Sequence, residues 1–517
     1  MYILRGMFFA LLWACAGALA SPSVLRPVPQ PAETKEISFA RGRAAVERNA
    51  AIQPDRRRAK NVILFLGDGM GVTTVTAARI LAGQQKGMLG EENQLSFEKF
   101  PHLALSKTYQ VNQQVSDSAP TMTAIVTGSK TNDGFLSIAP NVIGPDFGAA
   151  ARPENRLRTI LEQAEERGMW TGVVSTARLT HATPAACYAH TPDRGAEDDT
   201  DLAGISRAAA EDGYPDIARQ LFEFRVKPTT MNGHASPGLE VAMGGGRSKF
   251  LRITDADPEY PARKGTRNDR DLAAAWAARG GAYVWNAKDF AAIDPAATGP
   301  VLGLFEPSHM QYELDRKKDP GGEPSLTEMT EKAIRILERS PKGYFLMIEA
   351  GRIDHAHHDA NAARALNEAV ELSRAVERAA ALAGDDTLIL VTADHSHTIF
   401  MAGYPVRGNP ILGLVVTNGA DGRPEKAPTT DTLDHRPYTT LNYGSGPGAV
   451  GGPRADLTGV DTQAPDFKQQ ALIPMSSEAH GGEDVAVYAK GPGAWLVAGT
   501  MEQNAIYFVM ARAFGWE

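Results

Sequence analysis

Three short apolar runs punctuate the chain: Asn61-Val-Ile-Leu-Phe-Leu66, Tyr344 to Ile348 and Thr387-Leu-Ile-Leu-Val391. Runs of this length with no polar face read as strands buried on both sides. Thr171 to Ser175 and Val485 to Ala489 read the same way. Between them lie helical patterns, after Gly71 through Leu81, from about Arg156 to Arg167 and from about Asn361 to Leu382. Residues 195–340 continue the alternation of helical patterns with short apolar runs. Strands alternating with helices predict an α/β fold, a large and mostly parallel central sheet flanked by helices. The pattern lapses between residues 403 and 474, which are rich in Gly, Pro, Thr and Asp, so a small loop-rich cap is expected there. The catalytic body is then 61–402 together with 475–517.

The chemistry collects where these runs end. Asp68 follows the first in Gly67-Asp-Gly-Met-Gly71, Glu349 the second, and Asp394-His395-Ser-His397 the third, while His480 precedes Val485. The glycine cluster does not make a dinucleotide loop, because the third glycine of G-x-G-x-x-G would fall on Val72. In open α/β sheets the strand ends form the binding crevice, so Asp68, Glu349 and Asp394 should converge. Their summed negative charge calls for cations. Asp354 and His358, four apart in a segment that passes into a helical pattern, share one face and can grip one ion. Of the 12 histidines, 181, 355, 357, 358, 395, 397 and 480 fall in four short stretches at strand edges. Carboxylate and imidazole without thiolate suit zinc, and an all-oxygen set suits magnesium. Ser118, in Val115-Ser-Asp-Ser-Ala-Pro120, opens a helix-compatible stretch and reads either as a helix cap or as a nucleophile. Two metals beside a serine point to phosphoryl-type transfer.

Composition adds little to this, and the ends of the chain add more. A net charge of −8 offers no basic field, so nucleic-acid binding is not expected. Arg5, the apolar run Met7 to Leu19 and Ala18-Leu19-Ala20 have the form of a signal peptide over residues 1–20, which predicts a secreted or periplasmic protein. The run is shorter than the roughly 20 residues of a spanning helix, and the C-terminus has no apolar tail, so no membrane anchor is expected. Residues 21–60, Pro-rich and then Arg-rich, read as an exposed arm. Cys15 lies in the leader, and its removal leaves Cys187 with no disulfide partner.

Taken in order, Gly67-Asp-Gly-Met-Gly71, Asp117-Ser118-Ala119, His181-Ala-Thr183-Pro184, Glu349-Ala-Gly-Arg-Ile-Asp354-His355-Ala-His-His358, Thr392-Ala-Asp394-His395-Ser-His397 and His480-Gly-Gly-Glu-Asp484 closely resemble the alkaline phosphatases. The animal type is nearer than the enterobacterial, and the resemblance runs from about Asn61 to Phe514. It implies hydrolysis of phosphate monoesters through a phosphoserine on Ser118. It implies one zinc on Asp354, His358 and His480, a second on Asp68, Asp394 and His395 with Ser118, and magnesium on Asp68, Thr183 and Glu349. By the same resemblance Arg194 clamps phosphate, Asp117 orients Arg194, and His181 and His355 tune the phosphate and magnesium surroundings. For His357 and His397 a purely structural role stands beside a direct one, and neither is assigned as a ligand. The resemblance further implies calcium on Glu259, Glu306, Glu323 and the carbonyl of Phe305, and a homodimer. The chain departs from the animal pattern in its cysteines, its shorter cap and its missing lipid-anchor tail. Two other readings compete, a phosphodiesterase or sulfatase of the same superfamily and a non-catalytic metal- or phosphate-binding protein. A sulfatase-type motif at Ser118 would need Arg where Met122 stands, and a binder would not need a nucleophile.

Overall fold

The computed structural model describes residues 34–224 and 238–516, so the leader expected at residues 1–20 lies outside the described residues. Its centre is a 10-stranded sheet. From edge to edge the strands are Gly499–Glu502, His102–Lys107, Val485–Lys490, Thr387–Thr392, Asn61–Gly67, Tyr344–Ala350, Trp170–Arg178, Val241–Gly245, Val301–Leu304 and Ala282–Val284. The strands from Thr387–Thr392 to Ala282–Val284 run parallel, and Val485–Lys490 is antiparallel to both of its neighbours. The sheet is therefore mostly parallel.

The apolar runs are the central strands because both faces of the sheet are covered. Along Asn61–Gly67 every residue is buried, with Val62, Leu64 and Leu66 entering one core and Ile63 and Phe65 the other. Alternate side chains point to opposite faces, so a strand between two helical layers needs apolar residues at every position. Helices Leu326–Leu337 and Ala362–Leu382 cover one face, the first inserting Met329, Ala333, Ile336 and Leu337 into the second core.

One segment differs from its sequence reading, and two others carry regular structure that the sequence did not specify. The expected Arg156–Arg167 helix runs only from Ile160 to Glu166, because Thr159 caps its start; a separate 3-10 turn at Pro153–Asn155 precedes it. Thr159 accepts from the Glu162 N–H while Glu162 accepts from the Thr159 N–H, a reciprocal cap that fixes where the helix begins. Within the arm, Lys35–Ala50 is a 16-residue helix with no buried residue. Residues 403–474 are not loop alone, for Leu441–Gly446 pairs with Ile399–Met401 and Ala471–Pro474 in a three-stranded sheet. Tyr443 in that sheet is buried and its hydroxyl lies 2.8 Å from His357 Nδ1, which ties the segment to the helix Arg352–His358.

One buried acid bears on stability at high pH. Glu368, on the long helix, is 3 % exposed and accepts from the Glu313 N–H, and burial pushes its carboxyl up to about 8. A carboxyl whose folded pKa is raised keeps its contribution below the unfolded value of about 4.5 and loses it as pH rises through about 8. Glu368→Gln, which keeps the acceptor and removes the charge, should raise the melting temperature relative to wild type at pH 9 and not at pH 4. An equal effect at both pH values would contradict this.

Candidate active site

The strand register brings the acids together. Leu66 pairs with Glu349 on one side and Thr392 on the other, so Asp68, Glu349 and Asp394 leave three adjacent strands at one edge. All three are fully buried. The turn after Asn61–Gly67 depends on Gly69, whose φ is +66° and whose N–H donates to Asp394 Oδ1 at 3.0 Å. A Cβ there would also meet the His397 ring at 2.3 Å, so glycine is required for conformation and for space.

One group is built by Asp354, His358 and His480. Asp354 Oδ1 lies 3.4 Å from His358 Nε2 and 3.3 Å from His480 Nε2, and the two imidazole nitrogens are 3.2 Å apart. The outer nitrogens are fixed by backbone, with His358 Nδ1 2.6 Å from the Glu478 carbonyl and His480 Nδ1 2.8 Å from the Ser116 carbonyl. Such carbonyls hold each Nε2 free to ligate. His397 stands behind this group, with Nε2 2.8 Å from Asp354 Oδ1 and Nδ1 on Glu478, which also accepts from the Thr398 N–H. The clamp through Glu478 was not foreseen in the sequence. His357 is a satisfied structural histidine between Thr74 Oγ1, at 3.0 Å, and Tyr443.

A second group is Asp68, Asp394 and His395. His395 Nε2 lies 3.5 Å from Asp68 Oδ1 and 3.2 Å from Asp394 Oδ2. Burial and the neighbouring His480 push the His395 ring well below its usual pKa, which keeps it neutral and able to ligate. Ser118 opens the helix Ser118–Thr127, and its Oγ sits 3.3 Å from Asp68 Oδ1 and 3.2 Å from His395 Nε2. The hydroxyl faces the Asp68 carboxylate and the His395 imidazole, and Asp117 takes the capping position of the helix.

The third group joins Glu349, Thr183 and Asp68. Ser175 donates to one Glu349 oxygen, while Glu349 Oε1, Thr183 Oγ1, Asp68 Oδ2 and Asp394 Oδ2 are buried without a hydrogen-bond partner. Burial and nearby carboxylates raise Asp68 well above the ordinary carboxylate range, raise Asp394, and push Glu349 up to about 7. Buried acids that face one another with unmet oxygens are the donor set of cations, not of a closed hydrogen-bond network. The residues fit metal ions.

Arg194 and Asp117 flank the serine. Arg194 Nη1 pairs with Asp117, and although burial raises the Asp117 carboxyl, Arg194 beside it brings it down to about 2. Arg194 Nη2 donates to His181 Nε2 at 3.0 Å, and the His181 ring lies 5.3 Å from that of His355. His309 completes a trio with them, its ring 4.0 Å from His355. An isolated Ser308-His309 gave no sequence signal, because the loop is brought in by backbone bonds, from the Gly246 N–H to the Ser308 carbonyl and from the Met310 N–H to the Thr176 carbonyl.

Away from the sheet edge, Glu306 and Glu323 are 3 % and 4 % exposed and gather with Glu259 and Asp319. Tyr260 Oη lies 3.4 Å from both Glu306 Oε1 and Asp319 Oδ1. Asp319 Oδ2 and Glu323 Oε2 are buried without a partner, and burial pushes Glu306 up to about 8 and Glu323 to about 9. Asp319 is the member that sequence reasoning missed. Phe305, whose carbonyl was expected to join these acids, precedes Glu306 in a fully buried position.

The profile of the family described as Alkaline phosphatase matches residues 59–516. The chain belongs to the alkaline phosphatase family. It is 45 % identical over 470 residues to an alkaline phosphatase of Gadus morhua, covering 89 % of this chain and 92 % of that one. It is 43 % identical over 467 residues to the tissue-nonspecific isozyme of Homo sapiens, covering 88 % and 83 %. Among solved structures it is similar to the Thermus thermophilus alkaline phosphatase, with a TM-score of 0.62 at 25 % identity over 90 % of this chain and 93 % of that one. The enzyme from the Antarctic bacterium TAB5 shares the fold, with a TM-score of 0.58 at 21 % identity over 89 % and 100 %, and a mutant of it was solved with Mg bound. The chain is thus a phosphatase of a family that acts on phosphate monoesters, and its donor groups fit the metal dependence of that family. No helix among the described residues is long and apolar enough to cross a membrane.

Proposed function

We propose that the protein is a secreted or periplasmic phosphomonoesterase that works through a phosphoserine on Ser118, with two zinc ions and one magnesium ion. The observation that carries this reading is Ser118 Oγ, 3.3 Å from Asp68 Oδ1 and 3.2 Å from His395 Nε2, beside buried carboxylates with unmet oxygens. Asp354, His358 and His480 would hold one zinc, Asp68, Asp394 and His395 the other, and Asp68, Thr183 and Glu349 the magnesium. When bound, these ions supply Lewis acidity that lowers the pKa of ligated oxygens and offsets charge on the transferring phosphoryl group.

The chain's own residues do the rest. Ser118 Oγ loses its proton and forms the new bond to phosphorus as the ester P–O bond breaks, and the departing alcohol takes up a proton. Water then cleaves Oγ–P, which returns the serine and releases inorganic phosphate. Arg194 holds two phosphoryl oxygens with its planar fork, and Asp117 fixes the plane of that fork. The test is phosphate release from an aryl phosphate, with and without chelator, beside the matching diester and sulfate. Chelator-sensitive release from the monoester supports the reading, and faster release from the diester or sulfate overturns it.

The Glu259, Glu306, Asp319 and Glu323 oxygens, with the Phe305 carbonyl, are proposed to take calcium, whose preference is for many hard oxygen ligands. Calcium should then raise the melting temperature of decalcified protein, because an ion held only by the folded state stabilises it by mass action. Glu306→Gln with Glu323→Gln should remove that gain and leave zinc content unchanged. A melting temperature indifferent to calcium would contradict the site. A homodimer is also proposed, supported by apolar side chains left open on the Lys35–Ala50 helix and the small sheet, among them Phe39 at 65 % and Leu472 at 80 % exposure.

A further inference from the structure

His181, His309 and His355 are collected beside Arg194, and each is turned toward a guanidinium. Arg194 Nη2 donates to His181 Nε2 at 3.0 Å, Arg178 Nη1 to His309 Nε2 at 2.6 Å and Arg352 Nη1 to His355 Nδ1 at 3.1 Å. Ring centroids are 5.2 Å apart for His181 and His309, 5.3 Å for His181 and His355 and 4.0 Å for His309 and His355. Three imidazoles this close could hold a metal ion by geometry alone. Three guanidiniums around them oppose a cation and favour an anion.

The guanidiniums are not equally committed. Arg178 is balanced by Glu197 through two bonds of 2.7 and 2.6 Å, and Arg194 by Asp117. Arg352 has only His355 and the face of Tyr312, whose ring centroid lies 3.7 Å away, and among the described residues no carboxylate pairs with it. Its Nε is buried without a hydrogen-bond partner, although the residue as a whole is partly open to solvent. The buried Glu368 carboxyl is the nearby acid that feels its charge, yet no carboxylate among the described residues reaches ion-pair distance. A guanidinium with an unmet donor and no bonded carboxylate, two imidazole rings from the phosphate-clamping arginine, is an incomplete anion site.

We propose that Arg352, with His355, is a second anion subsite, walled by His309, whose two ring nitrogens both face Arg178, and that it takes an anionic group on the alcohol portion of the substrate while Arg194 holds the phosphoryl group to be transferred. The inference rests on the monoesterase reading above. It assigns as preferred substrates those monoesters whose leaving alcohol carries a phosphate or carboxylate. Arg352 is then a specificity residue, placed by the turn after Tyr344–Ala350 that also delivers Asp354.

The probes are propane-1,3-diyl bisphosphate and 3-hydroxypropyl phosphate, which differ only in the distal anion. Wild-type holoenzyme should show the higher kcat/KM for the bisphosphate by more than the factor of about two that two equivalent ends supply. Arg352→Ala should lower the ratio of the two kcat/KM values by about tenfold or more, the scale of one charge-assisted hydrogen bond. Arg352→Lys should restore part of it. His309→Glu, which sets a carboxylate in the subsite, should move the ratio the same way as Arg352→Ala. A merely structural arginine would lower both values and leave the ratio alone, so an unchanged ratio in Arg352→Ala and His309→Glu overturns the proposal. Wild-type protein inert toward both esters would overturn the monoesterase reading, and this inference with it.

Discussion

Ser118→Ala should lower kcat on an aryl phosphate by about three orders of magnitude or more, while zinc and magnesium content stays at the wild-type level. The substitution deletes one oxygen, which lies 3.3 Å from Asp68 Oδ1 and 3.2 Å from His395 Nε2. The proposed ligands come from other elements, since Asp68, Glu349 and Asp394 stand at strand ends and Asp354 and His358 on the helix Arg352–His358. Their positions are set by the sheet register and by His397 and Glu478, none of which the serine supports. Loss of turnover with metals retained therefore isolates the nucleophile. Turnover near the wild-type value would move that role to another group.

Chelation should abolish activity and lower the melting temperature together, and zinc with magnesium should restore both. The physical reason lies in Asp68, Glu349 and Asp394, fully buried acids with unmet oxygens whose ordinary ionisation is resisted by burial and by one another. Cations remove that repulsion. An ion present at about 1,000 times its dissociation constant stabilises the fold by about 4 kcal/mol when the unfolded chain does not bind it. Because the metal-free acids bind protons that the ions displace, loading should also release protons, most at pH values below the Glu349 value of about 7. Loading of chelated protein followed by calorimetry and by proton release checks both statements. A melting temperature unmoved by chelation, in protein shown free of metal, would contradict the cation reading of these acids.

The sheet was legible because its central strands are apolar at every position, which leaves few alternatives for runs such as Val62 to Leu66. The acids at the strand exits were legible for a related reason, since a charged residue directly after a buried strand has to lie at the sheet's edge. Residues that act through tertiary contact left weaker marks. Glu478 orients His397 from 81 positions away, and its own neighbours, Ser477 and Ala479, carry no motif. His309 reads as an isolated histidine until the backbone bonds of Gly246 and Met310 carry it beside His355. Tyr443 lies in a segment whose glycines and prolines suggest loop, yet Leu441, Tyr443 and Ser445 alternate inward and pin the small sheet to His357. The start of the helix Ile160–Glu166 was placed too early because a helical composition after Arg156 outweighed the Thr159 and Glu162 capping pair.

Covalent transfer through Ser118 can be seen by acid-quenching the enzyme during turnover of an aryl phosphate and locating any added phosphoryl group by peptide mass. One phosphoryl group is expected on the peptide containing Ser118, absent from Ser118→Ala and from chelated protein. Phosphoryl on a different residue in active enzyme, or steady turnover by protein in which Ser118 is never modified under conditions that preserve phosphoserine, would contradict it.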